Sequence, residues 1–339
     1  MSVPFRHQQA AHCETGVTAN LLCHHGVRIS ESLVFGIGAG LHFAHFPFIK
    51  INDLPLTAFR SFPGSILKKA TKHLGIKIGA EKFWSQRAAM ASLDRRLDAG
   101  IPVGLQAGIF WLPYIPAALR FHFNAHNLVV YGRNGDCYAV SDPVMEEPIV
   151  CAREDIQKAR FARGMFSPKG RMYYISSVPE HVDVANATLR GLNESCRNMR
   201  EVAFPLVGVK GVNFLGNQIE KWPEKLGERR ARLYLAQLIR MQEEIGTGGA
   251  GFRFMYAAFL QEASGVLGEN RLMDLATRMT AIGDRWRLFA LRCARICKAR
   301  TVEGDTYGAL GDMLRDCAVR EDELFRDLRS ILQERWAAA

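Results

Sequence analysis

Hydrophobic positions along this chain follow first the period of a helix, then that of strands, and then that of helices again. Val17, Leu21 and Leu22 recur at helical spacing, and Gly26 can adopt the left-handed conformation that commonly ends a helix. The pattern therefore predicts a first helix that ends near Gly26. Cys13 is expected at its N-terminus.

Three further helices are predicted before residue 102. A short one begins near Ser30, and two longer segments are amphipathic, "PGSILKKATKHLG" and "KFWSQRAAMASLDRRLDAG". Pro63 marks the start of the first of these segments, and Gly75 and Gly100 mark the ends of the two.

The pattern changes to strands after Pro102. The run "PVGLQAGIFWLPY" is short, apolar and interrupted, as a buried strand would be. In "NAHNLVVYGRNGDCYAVSD" two β-rich runs flank Asn134 and Gly135, which is a strong hairpin signal. A helix over "REDIQKARFARG" and a strand over "RMYYISS" follow.

From about residue 180 onward only helical patterns follow one another, with breaks at Pro205, Pro223, Gly268 and the glycines of 246–249. The sequence therefore predicts an α+β domain over residues 1–178 and an all-helical domain over residues 179–339. No internal repeat is visible in either part.

Composition agrees with two soluble domains. The chain has 339 residues, of which 48% are hydrophobic, which is enough for at least one sizeable core. Its formal charge is +10, and residues 1–180 carry 20 Lys and Arg against 13 Asp and Glu. This excess favours an acidic partner. Basic runs interleaved with aromatic residues are missing, so nucleic acid is not expected.

No segment predicts export or a membrane span. The most apolar window, "LVFGIGAGLHFAHFPF", contains two histidines and is shorter than the roughly 20 residues that cross a bilayer, so it is interpreted as buried core. Eight cysteines without a secretory signal, a CxxC motif or a zinc-like pairing favour reduced thiols and a cytoplasmic location.

Cys13, His126 and Asp142 form a candidate catalytic triad. The N-terminus of a helix stabilises a thiolate through its unpaired N–H groups and the positive end of its dipole. His126 lies in the first strand of the predicted hairpin and Asp142 ends the second, so the two side chains can pair across the ladder as base and orienting carboxylate. The chain order is that of papain-like enzymes.

Other interpretations of the same residues stay open. Cys13 can be a small buried side chain without chemistry. His122, Asn124 and His126 share a strand face and could bind a metal, although no third strong ligand is evident. Cys293 and Cys297 have the i,i+4 spacing of a helix core. The segment "GTGGAGF" lacks the ending of a phosphate-binding loop and is interpreted as a helix break.

Several motifs, taken in order, resemble a known family. The segments "HCETG", "HHGVRISESLVFGIGAGLHF", "GIPVGLQAGIFWLPY", "HFNAHNLVVYG" and "AVSDP" resemble the N-terminal domain of the butirosin-biosynthesis acyltransferase H family. The segments "GVKGVNFLGNQIEKWP" and "EEIGTGGAGFRFMYAAFLQEAS" resemble the helical domain of unknown function that commonly follows it. Ala107 is a departure, because an acidic residue is common at that position of the family.

The resemblance implies a papain-like cysteine fold that transfers an acyl group from an acyl-carrier-protein or CoA thioester to a small-molecule amine, forming an amide. Cys13 matches the nucleophile and His126 the base, with Asp142 as the third member. The Cys13 backbone N–H and a side-chain amide, from Gln8 or Gln9, are the candidate oxyanion donors. No cofactor or metal is expected, and a homodimer is left open.

Two alternative functions use the same scaffold. A cysteine peptidase or amidase would use the same triad with water as the acceptor, and a binding protein would leave Cys13 chemically idle. Lys68, Lys69 and Lys72, on the predicted helix "SILKKATKHLG", form a candidate basic face for an acidic carrier protein, with an ordinary solvated helix face as the alternative.

Overall fold

The computed structural model describes residues 4–337 of the chain, and the predicted α+β class is confirmed. The helices of the described residues are α1 (Cys13–His24), α2 (Glu31–Ile37), α3 (Ser65–His73), α4 (Gln86–Asp98), α5 (Arg153–Arg160), α6 (Val184–Cys196), α7 (Gly208–Ile219), α8 (Trp222–Leu226), α9 (Glu228–Ile239), α10 (Arg253–Leu267), α11 (Arg271–Cys297) and α12 (Tyr307–Ala337). The strands are β1 (Leu41–Ile51), β2 (Leu54–Arg60), β3 (Lys77–Glu81), β4 (Val103–Ala107), β5 (His126–Asn134), β6 (Cys137–Ser141), β7 (Ile149–Ala152) and β8 (Met172–Ser177).

The chain is organised as two compact units, and the chain passes between them more than once. The first unit contains residues 4–34 and 74–182, and the second contains residues 35–73 and 183–337. The last crossing lies four residues after the end of the predicted first domain, at 178. Residues 35–73 belong with the C-terminal helices, however, which a single division of the chain does not anticipate. The division into domains 1–178 and 179–339 stays a prediction about independently folding parts.

A six-stranded antiparallel sheet forms the centre of the first unit, in the order β3-β8-β4-β5-β6-β7. Successive side chains of a strand point to opposite faces of the sheet. In β5, Leu128 joins an apolar core cluster with Leu93 of α4, whereas the neighbouring Asn127 reaches Cys13 of α1. Helices α1 and α4 therefore cover opposite faces of the sheet.

The β5-β6 hairpin confirms the turn predicted from Asn134 and Gly135. Asn134 pairs with Cys137, and Gly135 has a positive φ of 55°, a conformation that glycine adopts without strain. Near the other end of the ladder Val129 pairs with Ser141. The residue after Ser141 therefore lies close to the first residues of β5.

The second unit combines a long hairpin with the C-terminal helices. Strands β1 and β2 pair through a turn in which Asn52 and Asp53 have positive φ angles of 51° and 64°. The apolar window interpreted as buried core is instead split between α2 and β1, and Phe48 near the hairpin tip is 67% exposed. The interpretation of the whole window as core was therefore wrong for its last part, because a hairpin tip leaves the packed layer.

The C-terminal region is helical, as predicted, with α6 to α12 following one another. Its largest buried polar group is Arg253, which forms two hydrogen bonds to Glu321 at 2.9 and 3.1 Å, while Trp286 donates to the same carboxylate at 2.8 Å. The glycine-rich segment 246–251 interrupts the helices, as predicted. Within residues 4–337, none of the helices has both the length and the apolarity that a bilayer crossing requires.

Candidate active site

Cys13 is the first residue of α1, as predicted. Its N-cap is His12, whose side chain accepts a hydrogen bond from the backbone N–H of Thr15. The first N–H groups of a helix have no acceptor inside the helix, so the Cys13 backbone N–H and the positive end of the dipole lie next to the sulfur. The residue is only 9% exposed.

His126 and Asp142 are brought together as the hairpin register predicts. His126 Nε2 lies 2.7 Å from Asp142 Oδ2, and their side chains are 3% and 0% exposed. Cys13 lies near enough to the imidazole to contribute to the raised pKa of His126. Because Nε2 is already bonded to the carboxylate, Nδ1 is the ring atom that remains for the sulfur.

The electrostatics of this cluster favour the imidazolium form of His126. Desolvation by burial lowers the pKa of His126, but the negative charge and hydrogen bond of Asp142, together with Cys13, outweigh it and hold the pKa above its usual range. A protonated ring between a carboxylate and a thiol is the charge arrangement that stabilises a thiolate.

Asp142 has two further partners that sequence reasoning missed. Tyr114 donates its hydroxyl to Asp142 Oδ2 at 2.9 Å, and the backbone N–H of Val144 donates to Oδ1 at 3.2 Å. Burial and the nearby carboxylate raise the pKa of Tyr114 well above its usual value, so its hydroxyl keeps its proton and remains a donor. Both carboxylate oxygens are therefore occupied.

Asn127 is a second residue of the site that no pattern in the sequence selects. Its Nδ2 lies 3.9 Å from Cys13 Sγ and donates to the Ala125 carbonyl at 3.0 Å. Its Oδ1 accepts a hydrogen bond from the Tyr173 hydroxyl at 2.8 Å. The adjacent candidate histidine is the only sequence signal that could have drawn attention to it.

The segment before α1 is bonded to the turn that carries Asp142. His7 Nδ1 lies 2.8 Å from Ser141 Oγ, and its Nε2 lies 3.1 Å from the carbonyl oxygen of Met145. The backbone N–H of Ala10 donates to the Pro143 carbonyl at 2.7 Å. Residues on both sides of Asp142 are thus attached to the segment that leads into Cys13.

Glu31, at the start of α2, holds the backbone just before the cysteine. Its carboxylate accepts from the N–H groups of Ala11 and His12 at 2.9 and 2.7 Å and from the Thr15 hydroxyl at 2.8 Å. Burial raises the pKa of Glu31, and these three hydrogen bonds oppose that shift. The contact fixes how the chain enters α1.

Gln8 and Gln9, the candidate oxyanion residues, line a cavity of about 1010 Å³ beside α1. Cys13 is not among the residues that line this cavity. Asn20 donates to the backbone carbonyl of Gln8 at 3.0 Å, but within residues 4–337 neither glutamine side chain is hydrogen-bonded to Cys13. Their role in holding an oxyanion stays a prediction.

The residues of the alternative metal site are kept apart by other partners. The His122 ring stacks on Phe110 at 4.2 Å, and Asn124 donates to the carbonyls of Arg163 and Met165. Over the described range 4–337, no group of three or more His, Cys, Asp or Glu side chains is arranged to hold a metal ion.

The candidate basic face on α3 is smaller than the sequence suggests. Lys69 forms an ion pair with Glu194 of α6 at 2.6 Å, which leaves Lys68 and Lys72 as the exposed members. Helix α3 belongs to the second compact unit, whereas the candidate triad belongs to the first. Lys69 is therefore a structural residue of the second unit, and carrier docking on this helix stays a prediction.

Two family models match the chain in sequence order. Residues 12–143 match "Butirosin biosynthesis protein H, N-terminal", and residues 154–328 match "Domain of unknown function (DUF4872)". A crystal structure from Bacillus anthracis, described as a C39-like peptidase, is 15% identical with a TM-score of 0.35 and covers 52% of this chain and 96% of its own. None of the curated proteins matches the chain.

Proposed function

Because the chain belongs to the DUF4872 family and joins that domain to a butirosin-biosynthesis protein H N-terminal domain, we propose that it is a cysteine-dependent acyltransferase. It moves an acyl group from the thioester of an acyl-carrier protein or of CoA to Cys13, and then to an amine acceptor, forming an amide in secondary-metabolite or lipid biosynthesis. The catalytic residues are Cys13, His126 and Asp142.

One observation carries the proposal. The 2.7 Å contact between His126 Nε2 and Asp142 Oδ2 leaves the other ring nitrogen for a sulfur at the start of a helix, and all three residues lie within the matched segment 12–143. Buried polar side chains usually form hydrogen bonds whose role is only structural. Here the partners are arranged in the order nucleophile, base and orienting carboxylate.

In the first half-reaction the Cys13 thiolate attacks the carbonyl carbon of the donor thioester. The negative charge moves to the carbonyl oxygen, next to the backbone N–H of Cys13. When the tetrahedral adduct collapses, the donor's own C–S bond breaks and His126 gives its proton to the leaving thiol. The product is an acyl-cysteine, and His126 is left neutral with its ring still held by Asp142.

In the second half-reaction the amine attacks the acyl-cysteine. Neutral His126 takes the proton that the amine nitrogen loses as the C–N bond forms, and the C–S bond to Cys13 then breaks. The amide leaves, and the thiolate and the protonated imidazole are restored. Cys13 and His126 are almost fully buried, and transfer prevails over hydrolysis to the extent that water is excluded from the acyl-cysteine while the amine is bound.

The decisive experiment follows the mass of the intact protein after mixing with an acyl thioester. We expect one acyl group to appear on Cys13 and to disappear faster when an amine is added, with formation of the amide. Comparison of a carrier-bound donor with the same acyl group on CoA identifies the donor class. Adduct loss that does not depend on amine would identify a hydrolase instead, and no adduct with any thioester would favour a binding protein.

Two histidine variants provide the matched control. His126→Ala should abolish acylation, because it removes the proton donor for the leaving thiol and the orienting contact with Asp142. His122→Ala should acylate normally, because that ring lies on the surface and stacks on Phe110. An inactive His122→Ala beside an active His126→Ala would show that the base has been misassigned.

A further inference from the structure

We propose that Asn127 is a positioning residue of the nucleophile, that its side-chain amide stabilises the Cys13 thiolate by donating a hydrogen bond to the sulfur, and that Tyr173 keeps the amide in the donating orientation. The proposal rests on Cys13 being the nucleophile, as in the proposed function, but it does not depend on the identity of the acyl group or the acceptor.

The side-chain amide of Asn127 faces the sulfur of Cys13. Asn127 Nδ2 lies 3.9 Å from Cys13 Sγ, within reach of the long hydrogen bonds that sulfur accepts. The two residues are buried, so water does not compete for the sulfur to any large extent. A donor that faces a charged acceptor in a poorly hydrated place stabilises it more strongly than at the surface.

Hydrogen bonds on both sides fix the orientation of the Asn127 side-chain amide. Its NH₂ group donates to both the Ala125 carbonyl and Cys13, and its oxygen accepts from the Tyr173 hydroxyl. Rotation by 180° would place the amide oxygen against the Ala125 carbonyl and against the sulfur, two groups that cannot donate once the thiol is ionised. The Ala125 carbonyl and the Tyr173 hydroxyl therefore both favour the orientation in which Nδ2 of Asn127 faces Cys13.

Tyr173 is itself held firmly. It is buried in β8, and desolvation by burial raises its pKa well above its usual value, so the hydroxyl remains a donor at all ordinary pH values. Its ring lies over Gly104 of β4, where a Cβ would come within 2.2 Å of the ring carbon Cε2. Only glycine at position 104 leaves room for the ring. The backbone of β4 therefore helps to hold Tyr173 where its hydroxyl reaches Asn127.

Charged groups act on the Cys13 sulfur and on the Tyr173 hydroxyl, and they must be kept constant in any test. His126, paired with Asp142, faces Cys13 from β5. Glu14 of α1 and Arg171, next to β8, act on the Tyr173 hydroxyl. Substitutions that change no charge are therefore required, and Asn127→Leu and Tyr173→Phe meet this condition.

The test is the pH dependence of iodoacetamide alkylation of Cys13, followed by peptide mapping in the full-length protein. Asn127→Leu should move the midpoint of the alkylation profile to higher pH by about one unit, equivalent to a tenfold smaller thiolate fraction on the acid side. Tyr173→Phe should move it in the same direction by less. In the double variant the Tyr173→Phe change should add nothing, because Tyr173 acts through Asn127.

Asn124→Leu is the matched control. Asn124 is a buried asparagine on the same segment, but its amide donates to the carbonyls of Arg163 and Met165 instead of to Cys13. Its replacement should leave the midpoint unchanged even where it lowers the unfolding temperature, which separates loss of stability from loss of the donor.

The proposal is overturned if folded Asn127→Leu has the wild-type profile, or if Tyr173→Phe shifts the midpoint equally with and without Asn127→Leu. If Asn127→Leu does not fold, the conservative Tyr173→Phe decides, and an unchanged midpoint refutes the proposal. These outcomes differ from failure of the proposed function, because a protein that is never acylated by thioesters can still show the Asn127-dependent shift.

Discussion

Gly16 lies one helical turn after Cys13, at a place where α1 approaches the turn that carries Asp142. A Cβ added to Gly16 would lie 2.6 Å from Ala10 Cβ and 2.6 Å from Pro143 Cβ. Carbon atoms in ordinary contact are about 3.5 Å apart, so Gly16→Ala requires these elements to separate by about 0.9 Å. The backbone N–H of Ala10 donates to the Pro143 carbonyl at 2.7 Å, so a shift of either neighbour also displaces the other.

Gly16→Ala should change the rate of acylation more than it changes the free energy of unfolding. Overpacking costs about 1–3 kcal/mol, and the better helix propensity of alanine returns about 1 kcal/mol, so the free energy of unfolding should fall by only about 0–2 kcal/mol. Displacement of reacting groups by about 1 Å can lower a rate about 100-fold. Gly16→Ala should therefore fold, yet be acylated about 100-fold more slowly than the wild type.

The assay is single-turnover acylation followed by intact mass, together with thermal unfolding. Gly265→Ala in α10 is the matched control, because no atom lies within 4 Å of a Cβ at that position, and it should keep the wild-type rate. Addition of Ala10→Gly to Gly16→Ala removes one of the two clashes and should restore part of the rate. A folded Gly16→Ala that is acylated at the wild-type rate would refute this account of how the helix and the turn are held in register.

Three more expectations concern the groups around the site. Asp142→Asn removes the charge that holds the pKa of His126 above its usual range; because the proposed mechanism starts from the protonated ring, the alkaline limb of the rate profile should move to lower pH. Glu31→Ala leaves two backbone N–H groups before Cys13 without their acceptor and should lower the free energy of unfolding by about 2 kcal/mol, measured in urea. Limited iodoacetamide labelling near neutral pH should mark Cys13 first, because Cys13 combines the N-terminus of a helix with the nearby candidate base His126; earlier labelling of Cys23 or Cys137 would contradict the assignment.

The sequence was sufficient for the parts of the fold in which one short segment determines its own structure. The β5-β6 hairpin carries an Asn-Gly turn between two β-rich runs, and its register alone placed His126 near Asp142. The start of α1 was visible in the apolar spacing that follows Cys13. These local signals were enough to select the three candidate catalytic residues.

Elements with weak or misleading patterns were missed. The β1-β2 hairpin turns at Asn52 and Asp53 without a glycine, and its first strand continues an apolar run that also fits buried core. Strands β3 and β7 lie at the two edges of the sheet, where a strand buries little and its hydrophobic pattern is faint. The Asn-Asp pair was the one signal that could have revealed the first hairpin.

The supporting residues of the site could not have been found from the sequence. Tyr114, Asn127 and Glu31 acquire their roles only from contacts with residues far away in the chain. Nothing in the spacing of Tyr114 distinguishes it from the other aromatic residues of its segment. Contacts of this kind depend on tertiary packing, which a pattern along one chain segment does not encode.

Hydrogen bonds at the candidate site join residues that the ribosome adds to the chain many seconds apart. His7 and Ser141 are 134 residues apart, and Asn127 and Cys13 are 114 residues apart. At a ribosomal rate of about 5–20 residues per second, Cys13 is synthesised roughly 6–23 seconds before His126 and Asn127. During that interval its thiol lacks both the imidazole and the amide. The imidazole of His126, the carboxylate of Asp142 and the amide of Asn127 can therefore gather around the Cys13 sulfur only after the β5-β6 hairpin has been synthesised.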